Sequence, residues 1–139
     1  MSAGVLAKKP LEYSVVIPFV HHLGIELIEQ GQQRAVVRLT HRPEHLNSWG
    51  GAHGGVIMTM LDLVMACAVR GHYNAPGSVL TVDMSVGFIN PCKGDITAEG
   101  RVLNGGKSTA FCESEARDTA GTLLAKAIGT FKLLKERKN

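Results

Sequence analysis

Apolar residues along this chain recur with two different periods, and the change of period divides it into elements. In residues 34–40, Ala35, Val37 and Leu39 alternate with Arg34, Arg38 and Thr40, which predicts a half-buried strand. Residues 25–29 read as a strand before it, with Gly31 and Gln32 as the turn. Ahead of that strand, residues 13–22 form a short apolar segment fit for one or two helical turns, interrupted by Pro18. In residues 81–90, Val82, Met84, Val86 and Phe88 face one way, opposite Thr81, Asp83 and Ser85. Pro91 and Gly94 turn the chain into residues 96–102, where Ile96, Ala98, Gly100 and Val102 alternate with Thr97, Glu99 and Arg101. Asn104-Gly105-Gly106 marks a hairpin turn. Strands over 108–117 and 123–134 follow, joined across 118–121.

Residues 53–70 break this alternation. They are rich in Met, Leu and Ala and too long for one strand, and residues 56–69 are apolar on nearly every side apart from Thr59 and Asp62. The pattern predicts a helix enclosed by protein, ended by Gly71 and by Asn74-Ala-Pro-Gly77. One buried helix among antiparallel strands gives an α+β fold in which a sheet wraps the helix. Such a sheet keeps two open edges, and pairing with a second copy hides one of them.

At 139 residues the chain fits one domain, with residues 1–12 expected as a flexible N-terminus and 135–139 as a flexible basic tail. The formal charge of +3 gathers at the two ends, which is not the basic stripe of a nucleic-acid binder. Cys67, Cys92 and Cys112 are odd in number and lack a CxxC spacing, so neither a disulfide frame nor a zinc site is indicated. None of His21, His22, His41, His45 and His72 has metal-ligand spacing, so no metal is expected. Residues 56–69 are too few to span a bilayer and carry Asp62. Reduced thiols and the lack of a signal segment lead to the expectation of a cytoplasmic protein that neither enters a membrane nor binds nucleic acid.

The chemistry concentrates in Asn47-Ser-Trp-Gly-Gly-Ala-His53-Gly54-Gly55 and in Asp62. Gly54 falls where the helix begins, at the positive end of its dipole and among amides with no helical partner, which suits a developing oxyanion. Tight packing of Gly54 and Gly55 against the sheet would explain them equally well. Asp62 is a carboxylate on a helix expected to be buried, a costly placement unless it has a partner or a task. A cap, an arginine partner or a gap in the sheet is the alternative to a functional role. Gly54 and Asp62 lie eight positions apart, roughly 12 Å along a helix, so one chain cannot easily bring them together. Two antiparallel helices side by side can. Asn47 offers an amide, His53 a positioning hydrogen bond and Thr81 a hydroxyl for a water; each is also at home as an ordinary loop, cap or strand residue.

Asn47, Gly50, His53-Gly54-Gly55 and Leu61-Asp62, at this spacing, resemble the signature of hotdog-fold thioesterases of the phenylacetate-pathway type. Thr81-Val-Asp-Met84, Phe88-Ile-Asn-Pro91, Gly94, Asn104-Gly-Gly-Lys107 and Ala127 to Phe131 continue the resemblance in order, over nearly the whole chain from Phe19. It implies hydrolysis of acyl-CoA thioesters to a free acid and coenzyme A, without metal or organic cofactor. It implies Asp62 as general base or nucleophile, Gly54 N–H on the thioester oxygen with Asn47 and His53 assisting, and Thr81 positioning water. It further implies a homodimer with Asp62 of one subunit facing Asn47, His53 and Gly54 of the other, and pairing of dimers into a homotetramer. Further substrate-binding candidates are Gly55 and the cations Lys107, Arg101, Lys132 and Arg70, the latter for coenzyme A phosphates. Met58, Met60, Val64, Met65 and Trp49 are candidates for an acyl pocket, although apolar residues on this helix are core by default. The competing reading is a non-catalytic hotdog module that binds acyl-CoA or a related ligand. A hotdog hydratase would need a paired Asp/His motif that is not found in the sequence.

Overall fold

The computed structural model describes residues 8–74 and 78–134, so the expected basic tail at 135–139 and residues 1–7 of the expected flexible N-terminus lie outside the described residues. A short helix α1 (Pro18–Leu23) precedes strands β1 (Ile25–Gln30) and β2 (Arg34–Leu39). The long helix α2 (Gly54–Tyr73) then precedes β3 (Val79–Phe88), β4 (Ile96–Gly105), β5 (Thr109–Asp118) and β6 (Leu123–Leu133). The strands form one antiparallel six-stranded sheet in the order β1-β2-β4-β5-β6-β3. This is the expected α+β architecture: strands in meander order, with β3 displaced to the far edge.

Alternation explains the packing. Ala35, Val37 and Leu39 of β2, Ile96 and Ala98 of β4, Cys112 and Ala116 of β5, and Ala125 and Phe131 of β6 all enter one core with the apolar face of α2. Val36, one position out of phase, pairs instead with Ile28 in a small separate cluster. The opposite face of the central strands is a charged ladder in which Arg101 binds Glu99 and Glu113 and Arg34 binds Glu29 and Glu99. Lys8 to Glu12 lie along β1: Leu11 bridges Leu27, Lys8 pairs with Glu29, and Arg38 donates to the Lys8 carbonyl.

The end of the helix, the register of β3 and its bounds (Val79–Phe88 rather than residues 81–90) differ from the sequence expectation. The helix runs past Gly71 to Tyr73 and is closed by Asn74 in the left-handed conformation (φ 49°), whose N–H donates to the carbonyls of Arg70 and Gly71. Gly71 is a packing residue, because a Cβ there would meet the Gly31 carbonyl oxygen at 1.9 Å. In β3 the register against β6 shifts between Thr81 and Asp83, a bulge that the simple alternation of Thr81 with Val82 did not foresee. Thr81 thereby faces the helix, as Met84 and Val86 do. At 20 residues α2 is long and apolar enough to cross a bilayer by composition, but 61% of its most apolar window is buried inside the protein. It is a core helix.

Candidate active site

The loop between β2 and α2 is built from its own polar atoms. Leu46 bridges Ala52, the Asn47 N–H donates to the Gly51 carbonyl, and Asn47 Oδ1 accepts from the N–H groups of Trp49 (2.9 Å) and Gly51 (3.1 Å). With its oxygen engaged in the loop, Asn47 has its NH2 group left to offer a ligand. His45, buried, anchors the loop from below: Arg42 N–H donates to its Nδ1, its Nε2 lies 2.8 Å from the Leu23 carbonyl, and its own carbonyl accepts from His53 N–H. Nothing in the sequence separated His45 from the other histidines, since its role depends on contacts with Leu23 and Arg42.

His53 is the N-cap of α2, its Nδ1 accepting from Gly55 N–H at 2.8 Å. That bond fixes the neutral ring with its proton on Nε2, on an exposed side chain able to donate outward. The His53 carbonyl takes the N–H groups of Val56 and Ile57. Gly54 N–H is left without a partner among the described residues, at the positive end of a 20-residue helix. It opens into a cleft of about 320 Å³ lined by Asn47, Gly51, Ile57, Phe88, Asn90 and Pro91, among others. The cleft is open because residue 54 lacks a side chain: a Cβ there would meet the Phe88 ring at 3.4 Å. The structure thus brings Asn47, His53 and Gly54 together around one helix N-terminus.

Asp62 is not in that cleft. It is half-buried rather than enclosed, and Thr81 Oγ1 donates to its Oδ1 at 2.6 Å. Among the described residues no cation pairs with Asp62, so the arginine-partner alternative does not hold, and Oδ2 is left open. The carboxylate and the free amide therefore stand on one helix, roughly 12 Å apart along it. Between and beside them runs a stripe of exposed or half-buried residues, Gly55, Met58, Thr59 and Asp62, against which nothing among the described residues packs fully.

The remaining candidates separate. Arg101 is committed to Glu99 and Glu113, and Arg70 is buried beside Cys67. Lys107 and Lys132 are exposed and form no ion pair among the described residues. Gly55 N–H is used by His53. Of the proposed pocket residues, Met60, Val64 and Met65 are wholly in the core, whereas Met58 is 42% and Trp49 88% exposed. Burial pushes the Cys67 thiol up to about 11 and the Cys112 thiol up to about 12, so neither supplies a thiolate nucleophile near neutral pH. Among the described residues no group of three His, Cys, Asp or Glu could hold a metal.

Comparison with known proteins gives this geometry a family. The model of the thioesterase superfamily matches residues 50–125, more than half of the chain and the stretch holding Gly54, Asp62 and Thr81. A Saccharolobus solfataricus protein that carries an esterase name, SSO2140, is 34% identical over 116 residues, covering 83% of this chain and 82% of its own. Human acyl-coenzyme A thioesterase 13 is 31% identical over 113 residues, covering 76% and 77%. Among solved structures, a mutant of the phenylacetic acid degradation protein PaaI from Thermus thermophilus superposes with a TM-score of 0.76 at 26% identity, over 85% of this chain and 100% of that one. A six-stranded antiparallel sheet wrapped on one long helix belongs to the hotdog fold, and the chain is a member of the thioesterase superfamily.

Proposed function

We propose that this protein hydrolyses acyl-CoA thioesters to the free acid and coenzyme A, at a site completed only when two subunits pair. One observation carries the reading: a carboxylate oriented by a hydroxyl stands on the same exposed helix stripe as a helix N-terminal amide, the one without a cation and the other without an acceptor among the described residues, yet too far apart to act together. An antiparallel pair of such helices brings each Asp62 to the other chain's Gly54.

In that arrangement the thioester carbonyl enters the cleft with its oxygen on Gly54 N–H, where the helix dipole and the Asn47 amide stabilise developing negative charge. His53 Nε2–H offers a further donor at the rim. Thr81 holds Oδ1 of Asp62, leaving Oδ2 to take a proton from water as it attacks the carbonyl carbon. Collapse of the tetrahedral intermediate breaks the C–S bond, and the departing thiolate takes the proton that Asp62 removed from water, which regenerates the carboxylate. Direct attack by Asp62, with an anhydride hydrolysed afterwards, uses the same geometry. Of the four cations singled out in the sequence, exposed Lys107 and Lys132 form no ion pair among the described residues and are available to the phosphates of coenzyme A. The outward-facing Leu103, Phe111 and Ile128, each more than half exposed, offer an apolar face for the expected pairing of dimers.

The test is thiol release from a panel of aryl, short and medium acyl-CoAs by wild type and Asp62→Asn. A wild-type turnover that falls by about 10² or more in the variant supports the proposal. Equal, background-level rates for both, with ligand-induced thermal stabilisation, would mark a binding module instead.

A further inference from the structure

Helix α1 is six residues long and Val20 is its one buried side chain, so packing alone holds its end weakly. Two polar ties hold it instead. Arg42 Nη2 donates to the His22 carbonyl at 2.7 Å, and its guanidinium lies over Gly24, 3.4 Å from where a Cβ would be. The next carbonyl, that of Leu23, lies 2.8 Å from Nε2 of His45. A carbonyl can only accept, so the ring proton is on Nε2. Arg42 Nε, 3.3 Å from the same nitrogen, is then a neighbour of the ring and not a donor to it. The other ring nitrogen, Nδ1, accepts the Arg42 backbone N–H at 3.2 Å.

The main chain of His45 faces the cleft side of the loop. Its carbonyl accepts the N–H of His53 at 2.7 Å, and His53 is the N-cap directly before the Gly54 amide. Two residues after His45 stands Asn47, whose N–H donates to the Gly51 carbonyl and whose Oδ1 accepts from Gly51 N–H. One residue, 1% exposed and absent from the lining of the cleft, thus joins the end of α1 to both donors that a thioester oxygen would meet.

We infer that His45 is a positioning residue for the reaction, holding the Gly54 N–H and the Asn47 amide in place by tying the N-cap of α2 to the Leu23 carbonyl at the end of α1. The inference rests on the hydrolytic reading above and adds a residue that acts without touching the substrate. Histidine suits the place because its ring carries a donor on one edge and an acceptor on the other. Both are used here, each by the main chain of a different segment. A buried carbonyl left without its donor is costly, so the tie persists as long as the ring is there. The consequence falls on the chemical step. Negative charge on the thioester oxygen develops in the transition state, so a displaced amide lowers kcat more than it raises KM. Misplacement by about 1 Å can cost about 10²-fold.

Two substitutions separate the two edges of the ring. His45→Gln reaches as far as Nε2 and keeps a donor for the Leu23 carbonyl. His45→Asn reaches only as far as Nδ1, keeping an acceptor for the Arg42 N–H and losing the tie to α1. Thiol release from one acyl-CoA is measured for both variants and the wild type, below the lowest melting temperature of the three. The expected result is a kcat about 10- to 100-fold down in His45→Asn with KM within about threefold, and His45→Gln within about fivefold of wild type. A kcat unchanged in His45→Asn, with only the melting temperature lowered, overturns the inference, as does an equal loss in both variants. Either result leaves the hydrolytic reading standing, because the wild type still turns over. A wild type that releases no thiol from any acyl-CoA overturns both.

Discussion

Thr81 Oγ1 donates a 2.6 Å hydrogen bond to Asp62 Oδ1, and it can do so only because a bulge in β3 turns Thr81 toward the helix. The hydroxyl fixes one carboxylate oxygen and the direction of the other. Replacing Thr81 with Val keeps the strand and removes the donor. Its expected effect is a fall in kcat of about tenfold with little change in KM, since the loss falls on orientation of the base. Thr81→Ser, which keeps the hydroxyl, should recover most of the rate. Steady-state kinetics on one acyl-CoA would check both.

Gly54→Ala tests the helix N-terminus. The added methyl would sit 3.4 Å from Phe88 Cε1, a contact the ring can accommodate, but it projects into the cleft over the free amide. The melting temperature should move by no more than a few degrees, while kcat/KM falls about 10- to 100-fold because the carbonyl can no longer approach. Thermal melts and initial rates on the same preparation would separate the two effects.

Much of this fold was legible in the sequence because burial leaves a period behind it. The alternation of Ala35, Val37 and Leu39, and the unbroken apolar run of the helix, each report which side of an element meets the core. What could not be read is whatever depends on a contact distant in sequence. Gly71 looks like a helix terminator until Gly31 is seen against it. The bulge at Thr81 is a property of the β3–β6 pairing, and no residue type near it announces it. The placement of the candidate residues was legible in part: Asn47, His53 and Gly54 assemble in one place, and Asp62 stands apart as helix geometry required. His45 and Phe88 were invisible as site-builders because each acts through neighbours far along the chain.

Gly71→Ala should be among the most damaging single-methyl changes in the chain. A Cβ would lie 1.9 Å from the Gly31 carbonyl oxygen, so helix and β1–β2 turn must separate. A cost of about 3 kcal/mol or more is expected, at the upper end of overpacking effects. Gly94→Ala, with nothing within 4 Å and no left-handed backbone, should change stability by less than about 0.5 kcal/mol. Urea denaturation of the two variants provides the measurement.

The buried thiols give stability a pH dependence of known sign. Burial raises Cys67 from 9.0 to about 11 and Cys112 from 9.0 to about 12. Above pH 9 the unfolded chain loses these protons while the folded one keeps them, so stability is complete below pH 9 and is lost as pH rises through about 11–12. Cys67→Ala and Cys112→Ala should each flatten that alkaline decline, whatever they cost at neutral pH. Unfolding free energies between pH 7 and 11 would show it, and a decline unaltered in both variants would contradict the assignment.

Mixing two dead variants asks most directly whether an acid on one subunit serves the amide end of another. Asp62→Asn lacks the carboxylate, Gly54→Val blocks the cleft, and each homodimer should be inactive. A mixed dimer regenerates one intact site, so random reassortment of equal amounts should restore about a quarter of wild-type thioester hydrolysis. Activity no higher than that of the separate variants, in a sample where mass spectrometry shows mixed dimers, would contradict a site shared between chains.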